Sequence, residues 1–399
     1  MAQRPWPWPR PWSWSVTDLS ELTGGPPAPG SFGVHAFSVQ SQVDGLEGVT
    51  LYVTYIALPP NPTNESAPEV HQLEYQFAYG AWRDSNLSAQ VGQAALVPDQ
   101  KPAAYLFRAQ STAHVIYLGF ASPSSRDPQI QELYADQNGW HANNLTRAAT
   151  GAPSPSRASP IAYAVEFEQT QHVHYVGADG HLHELWWNTD GWHWNDLTKA
   201  SGEPLAQPGT CPTGFVSEAA QTQHVYFVGQ DSQLHGIRWK AGNWSRHEPL
   251  GGTPAASTAA SPVGYISDDG FEYVSYVGVD GHVHELSLED VWGLQDPSLE
   301  TNTSVDPNAE LAAYPGLEPG TRRIIVIPGD GGSVQQLTKS GVDPWNFAVL
   351  ADSRGMGAPD AGARPGAFAV PAARQEYVYY PSINFRVVEL GGPSFPQTK

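Results

Sequence analysis

The sequence holds a single cysteine, Cys211, in 399 residues, so no intramolecular disulfide can form and a multi-cysteine metal site is excluded. A buried free thiol is the expectation. It also has no uninterrupted apolar run of about 18 residues, the length a bilayer span requires. The N-terminal stretch Met1-Ala-Gln-Arg-Pro-Trp-Pro-Trp-Pro-Arg-Pro-Trp12 lacks the apolar centre of an export signal. The expectation is a soluble protein, cytoplasmic or released by a non-classical route, with no membrane insertion. Basic residues are scarce: 20 Lys and Arg stand against 40 Asp and Glu, a formal charge of −20. That balance excludes nucleic acid as a partner, because such binding draws on cationic side chains that neutralise phosphates. It equally disfavours a basic membrane-surface role.

What the chain has in quantity is glycine (39), proline (36) and aromatic residues (14 Trp, 17 Tyr, 13 Phe). This composition fits a packed, turn-rich globule better than a disordered chain. Length alone suggests two or three domains, but self-similarity overrides that prior. The segment His172-Val-His-Tyr-Val-Gly-Ala-Asp-Gly-His-Leu-His-Glu-Leu185 recurs as Tyr273-Val-Ser-Tyr-Val-Gly-Val-Asp-Gly-His-Val-His-Glu-Leu286, identical at ten of fourteen positions. A weaker copy, His224 to Ile237, lies midway between them. Further copies run from His114 to Leu133 and from Arg323 to Leu337, and degenerate ones from Tyr52 to Leu73 and from Tyr377 to Leu390.

Each copy reads as strand, turn, strand, with Asp-Gly as the turn signal in the clearest ones. A tryptophan then opens a second half that ends in a Gly/Pro loop and a further strand, as in Trp192-His-Trp-Asn-Asp-Leu-Thr198 with Gly202 and Pro204. Trp82, Trp140, Trp244, Trp292 and Trp345 hold the same place. The seventh tryptophan is Trp14, followed by Asp18-Leu-Ser20, Gly24 and Pro26 at the offsets found after Trp192. The chain therefore opens with a second half-repeat and closes with a first. Complementary ends of this kind predict one all-β domain spanning 1–399: a seven-bladed β-propeller with four-stranded antiparallel blades, its ring closed by N-terminal strands pairing with C-terminal strands. Residues 1–12 read as an extended Pro/Trp-rich arm, disordered or an oligomer contact. The competing architecture, small β domains joined by Gly/Pro loops, is disfavoured because those loops recur inside the repeat.

In wording, the repeat resembles the PLL-like seven-bladed β-propeller lectins of bacteria. The resemblance rests on Thr170-Gln-His-Val173, Tyr175, Gly177, Asp179-Gly-His181, His183-Glu-Leu-Trp-Trp187, Gly191-Trp192, Asn195-Asp-Leu-Thr198 and Gly202-Glu-Pro204. It is good in the fourth and fifth copies and weak in the first, sixth and seventh. The resemblance implies a non-catalytic lectin without cofactor or metal, binding L-fucose, and in some members galactose or O-methylated sugars, between adjacent blades. It leaves a homo-oligomer open. Glycan binding asks for aromatic rings that stack on the C–H face of a sugar and for directional polar partners. The candidates are Glu132, Glu184, Glu285 and Glu389 at the recurring acidic position, with Trp14, Trp140, Trp186, Trp187, Trp192, Trp194, Trp292 and Asn195. Gln72, Gly236 and Gln336 break the acidic position in the other copies, so three to five working pockets are expected. Glu184 lies eight residues before Trp192, and the two are expected to serve together.

Alternatives are a protein-interaction propeller or a glycosidase-type propeller. No Gly-x-Ser-x-Gly, His-Glu-x-x-His or Walker-type motif is present, and no carboxylate pair stands out. The doublets His172-x-His174, His181-x-His183 and His282-x-His284 put two imidazoles on one face of a strand. No completing Cys or acidic cluster is visible in the sequence beside them, so metal binding is not expected.

Overall fold

In the computed structural model the described residues are 14–392, apart from 30–31, 42–45, 60–66, 93–95, 123–124, 248–251, 268, 290 and 352–356. The N-terminal arm of the sequence reading, residues 1–12, lies outside them. The described residues form seven four-stranded antiparallel sheets, and the protein is a seven-bladed β-propeller. The third blade shows the pattern: Ile161–Val165, Thr170–Val176, Leu182–Asn188 and Gly191–Asp196 pair in sequence order. Its first strand is innermost and its fourth outermost. The innermost strands of neighbouring blades pack on one another around a central channel.

The ring closes as the complementary ends require, through one N-terminal strand. Ser15–Asp18 is the outer strand of the seventh blade and pairs with Val387–Gly391 in the register Ser15↔Gly391 to Asp18↔Val388. The other two strands of that blade are Gly366–Val370 and Gln375–Pro381.

The repeat wording has local causes. Gly180 closes the turn between the second and third strands with φ of +80°, a conformation glycine adopts without a Cβ penalty. The turn aspartate binds the second histidine of the doublet: His183 Nε2 lies 3.0 Å from Asp179 Oδ1, and the pairs His235–Asp231 and His284–Asp280 repeat this. A Cβ at Gly177 would collide with Asp179 and His183. The Asn-Asp-Leu-Thr run ends the outer strand and starts a five-residue helix, Leu197–Ser201. Asp196 caps it by accepting from Lys199 N at 3.0 Å. Thr198 Oγ1 accepts from the buried Leu182 N at 2.8 Å and so ties the helix to the third strand. Ser20, Ser88, Thr146 and Ser298 make the corresponding bond in four other blades.

The lone cysteine also has a repeat position. Lys101, Ser159, Cys211, Ser261 and Arg364 each precede a proline at the entry to an innermost strand. Around the channel, Lys101 N donates to Ser159 Oγ, Ser159 N to Cys211 Sγ, and Cys211 N to Ser261 Oγ. Cys211 thus fills a serine's place in a belt joining adjacent blades.

Candidate functional site: the junctions between blades

Alternation along the strands gives every blade two chemically different faces. In the third blade Glu184 pairs across the ladder with Asn195, and Trp186 with His193. These residues, with His172 and His174, face the fourth blade, whose Trp244 Nε1 donates to Glu184 Oε2 at 3.2 Å. Trp187 pairs with Trp192, and Leu185 with Trp194. That opposite face packs on the second blade, where Phe107 meets Trp187 edge-on at 6.1 Å. Glu184 and Trp192 therefore serve different junctions, and the expectation that they act together is corrected. Glu184 works with Trp244, and Trp192 lies on the junction that holds Glu132. The parity was available in the sequence: once Trp187 and Trp192 flank the turn, Glu184 must lie on the opposite face.

The acidic position is buried: Glu132, Glu184 and Glu285 are 3%, 1% and 0% exposed, and Glu389 is 9%. Glu132 bonds to His114 Nδ1 at 2.9 Å and Asn143 Nδ2 at 3.2 Å. Glu184 bonds to His172 Nδ1 and Asn195 Nδ2, each at 2.7 Å, and to Trp244. Burial alone would raise the Glu184 carboxyl, but the hydrogen bond and charge of His172 outweigh it and hold the group below its ordinary value. Glu285 pairs with Arg322 of the sixth blade at 2.9 Å. Glu389 accepts from Tyr379 Oη at 2.9 Å, and burial pushes its carboxyl up to about 7.

Aromatic rings and amides sit outside this buried layer. Trp186 stacks on His193 at 4.4 Å, and Tyr134 holds the same place in the second blade, stacked on His141 at 4.9 Å. Trp192 and Trp244 are half-buried, and Asn195 is exposed. Trp194 meets His183 edge-on at 6.0 Å, on the face away from Glu184. Trp140 packs against a cluster containing Ile56 and Val70 of the first blade, and Trp14 against a cluster containing Tyr314 of the sixth. Trp292 lies 6.2 Å from Tyr226 of the fourth blade. Trp82 meets Tyr379 at 6.1 Å across the closing seam. Trp345 is buried and donates to Gln295 at 2.8 Å. Trp244, Tyr134 and Asn143 join the junctions beyond the residues expected from the sequence. Their repeat positions matched Trp192, Trp186 and Asn195, which was the available signal.

Most doublet histidines have carboxylate partners. His181 and His282 bind the helix caps Asp196 and Asp296 at 2.9 and 2.8 Å. Among the described residues, two clusters have ligand-type atoms within 4.8 Å of one another: His172, His174 and Glu184, and His224, His247 and Glu272. In the first, both Glu184 oxygens and both His172 nitrogens are already bonded. The central channel holds a separate cavity of about 270 Å³, lined by His35, Lys101, Cys211, Glu310 and Arg364 among others. There Arg364 Nε bonds Glu310 at 3.1 Å, and burial lowers Lys101 to about 8.

No family model matches this chain, and no curated protein does. Among solved structures the match is at the level of fold. The fucose-specific lectin from Aleuria aurantia superposes with a TM-score of 0.51 at 12% identity, over 83% of this chain and 99% of that one. AofleA from Arthrobotrys oligospora gives 0.48 at 14% identity, over 86% of this chain and 91% of that one. The β-propeller domain of the Trilobed protease from Pyrococcus furiosus gives 0.48 at 9%, over 91% and 97%. The architecture defines a β-propeller, and at these identities the likeness extends no further than the fold.

Proposed function

We propose that the protein is a lectin that binds neutral monosaccharide units of glycans in the clefts between blades. The observation that carries this reading is the repeated arrangement at two junctions. Between the third and fourth blades, half-buried Trp186 and Trp244 stand beside exposed Asn195 over buried Glu184. Between the second and third, Tyr134 and Asn143 stand with buried Glu132, and Trp187 and Trp192 of the third blade pack on the same junction. Rings of this kind suit the apolar face of a sugar, and the amides supply directional hydrogen bonds. The buried carboxylates act on the sugar by fixing the amide and indole groups above them. Trp14, Trp140 and Trp292, with Glu285 and Glu389, mark the remaining, more divergent candidate pockets, whereas Trp194 shares the Trp192 face at the junction of the second and third blades.

L-fucose is the first ligand to test, with galactose and O-methylated sugars next. The resemblance of the repeat favours it, and the Aleuria protein, a six-bladed β-propeller of similar architecture, is itself named fucose-specific. The charge of −20 disfavours sialylated or sulfated glycans. Several weak pockets on one rigid ring suit a glycan-coated surface, where effective concentration multiplies them.

Calorimetry with free sugars and a glycan array test the reading. The expected result is millimolar to micromolar affinity for a monosaccharide and tighter attachment to multivalent glycans. An absence of binding to fucosylated, galactosylated and methylated glycans would reject it. The double variant Trp192→Ala/Trp244→Ala should weaken binding without abolishing it.

A further inference from the structure

The fourth blade departs from the repeat at one position. In the second and third blades the histidine of the second strand turns its Nδ1 to the glutamate of its own blade, as His114–Glu132 and His172–Glu184 show. The fourth blade keeps the histidine, His224, but has Gly236 where the glutamate stood. The vacated volume is taken: a Cβ at Gly236 would lie 2.5 Å from the His247 carbonyl oxygen and 2.6 Å from Tyr226 Cε1. His224 instead turns across the junction to the fifth blade, where its Nδ1 comes 3.1 Å from Glu272 Oε2. His247, just beyond the outer strand Asn243–Arg246, brings its Nε2 to 3.1 Å from the same oxygen. Tyr226 Oη donates to that oxygen at 2.8 Å.

His224 is 1% exposed, and its Nδ1, although close to Glu272, has no hydrogen-bond partner. Its Nε2 is engaged by Thr222 Oγ1 at 2.8 Å. One ring nitrogen fixed by a neighbour and the other left aimed into a shared centre is the arrangement of a metal-ligating imidazole. Ligands about 2.1 Å from a tetrahedral ion stand roughly 3.4 Å from one another, close to the 3.1 Å separations here.

We propose that His224, His247 and Glu272 form a binding site for a divalent transition-metal ion of the zinc class at the junction of the fourth and fifth blades. Two imidazole nitrogens and one carboxylate oxygen supply three ligands, and the fourth position is left for the Tyr226 hydroxyl or water. Arg238, the cross-strand neighbour of His224, adds positive charge to the cluster. Two imidazole nitrogens among the three ligands disfavour Ca²⁺ and Mg²⁺, which take oxygen ligands, and suit an ion that accepts nitrogen. The ion would join two blades beneath Trp292, whose ring lies 5.6 Å from His247.

The test uses tag-free, chelator-stripped full-length protein titrated with Zn²⁺ by calorimetry, with metal content measured after dialysis. One ion per chain is expected, with Co²⁺ giving the visible absorption of a four-coordinate site. His247→Ala and Glu272→Gln should each weaken binding by more than about 100-fold, beyond the effect of losing a supporting contact. His174→Gln, in the other cluster, should leave stoichiometry and affinity unchanged. Should Glu272→Gln fail to fold by circular dichroism, His247→Ala and His247→Gln decide, because His247 is half-buried at the rim. Absence of stoichiometric uptake by the wild-type protein, or uptake unaltered in the His247 variants, overturns the proposal.

Discussion

A buried carboxylate takes its character from its neighbours, and the repeated glutamate shows this across the ring. Glu184 is surrounded by donors and held below its ordinary value, whereas Glu389 has Tyr379 Oη as its hydrogen-bond donor and is raised to about 7. A carboxyl raised in the folded state binds more protons there than in the unfolded chain. Its contribution is therefore present below the unfolded value of 4.5 and is lost as pH climbs through about 7. Glu389→Gln should consequently raise the melting temperature at pH 8 relative to wild type and change it little at pH 5. The difference should approach about 3 kcal/mol, the linkage equivalent of that shift. Thermal unfolding across pH measures it, and a variant equally shifted at both pH values would refute it. Cys211→Ser should cost less than about 1 kcal/mol, since a hydroxyl replaces the thiol as acceptor for Ser159 N. The sequence showed which positions recur, glutamate and tryptophan among them. The eight-residue spacing of Glu184 and Trp192 suggests one pocket, but the hairpin turn between them reverses the parity and they face opposite ways. The hydrogen bond from Trp244 to Glu184 spans 60 residues and depends on how blades pack, which no single repeat displays.

Elements this short are held by side-chain bonds to their neighbours. Leu197–Ser201 has five residues, too few for a helix to persist through its own backbone bonds. It stands because Asp196 caps it and Thr198 ties it to Leu182 N. Thr198→Val removes the acceptor of a buried N–H and should cost about 1–3 kcal/mol. Asp196→Ala should cost about 1 kcal/mol by loss of the cap, with more if the bond to His181 counts. Urea unfolding with an unchanged m-value checks both. Strands and hairpin turns were legible because alternation and Asp-Gly announce them. The helices show in the sequence only as a polar-apolar run, since five residues cannot display a helical period.

Across the whole molecule the N-terminal segment is a structural part of the last blade. Deleting residues 1–18 would leave the seventh blade three-stranded and expose the ladder edge of Val387–Gly391. Stability should fall by several kcal/mol, and hydrogen exchange should quicken first at Gly366–Val370, Gln375–Pro381 and Val387–Gly391. Closure was legible from the matched half-repeats at the two ends, because it requires only that the halves be complementary. The two unlike faces of each blade carry a further consequence. Every junction sets the glutamate face of one blade against the tryptophan face of the next, so the contact is head-to-tail and the ring has a single sense of travel. It is, in effect, a cyclic assembly whose subunits are joined by peptide bonds. An isolated run of three or four blades would end in two mutually complementary surfaces. Such fragments, expressed separately, should recruit one another into closed rings, and the blade count would then be fixed by the angle between neighbours rather than by chain length.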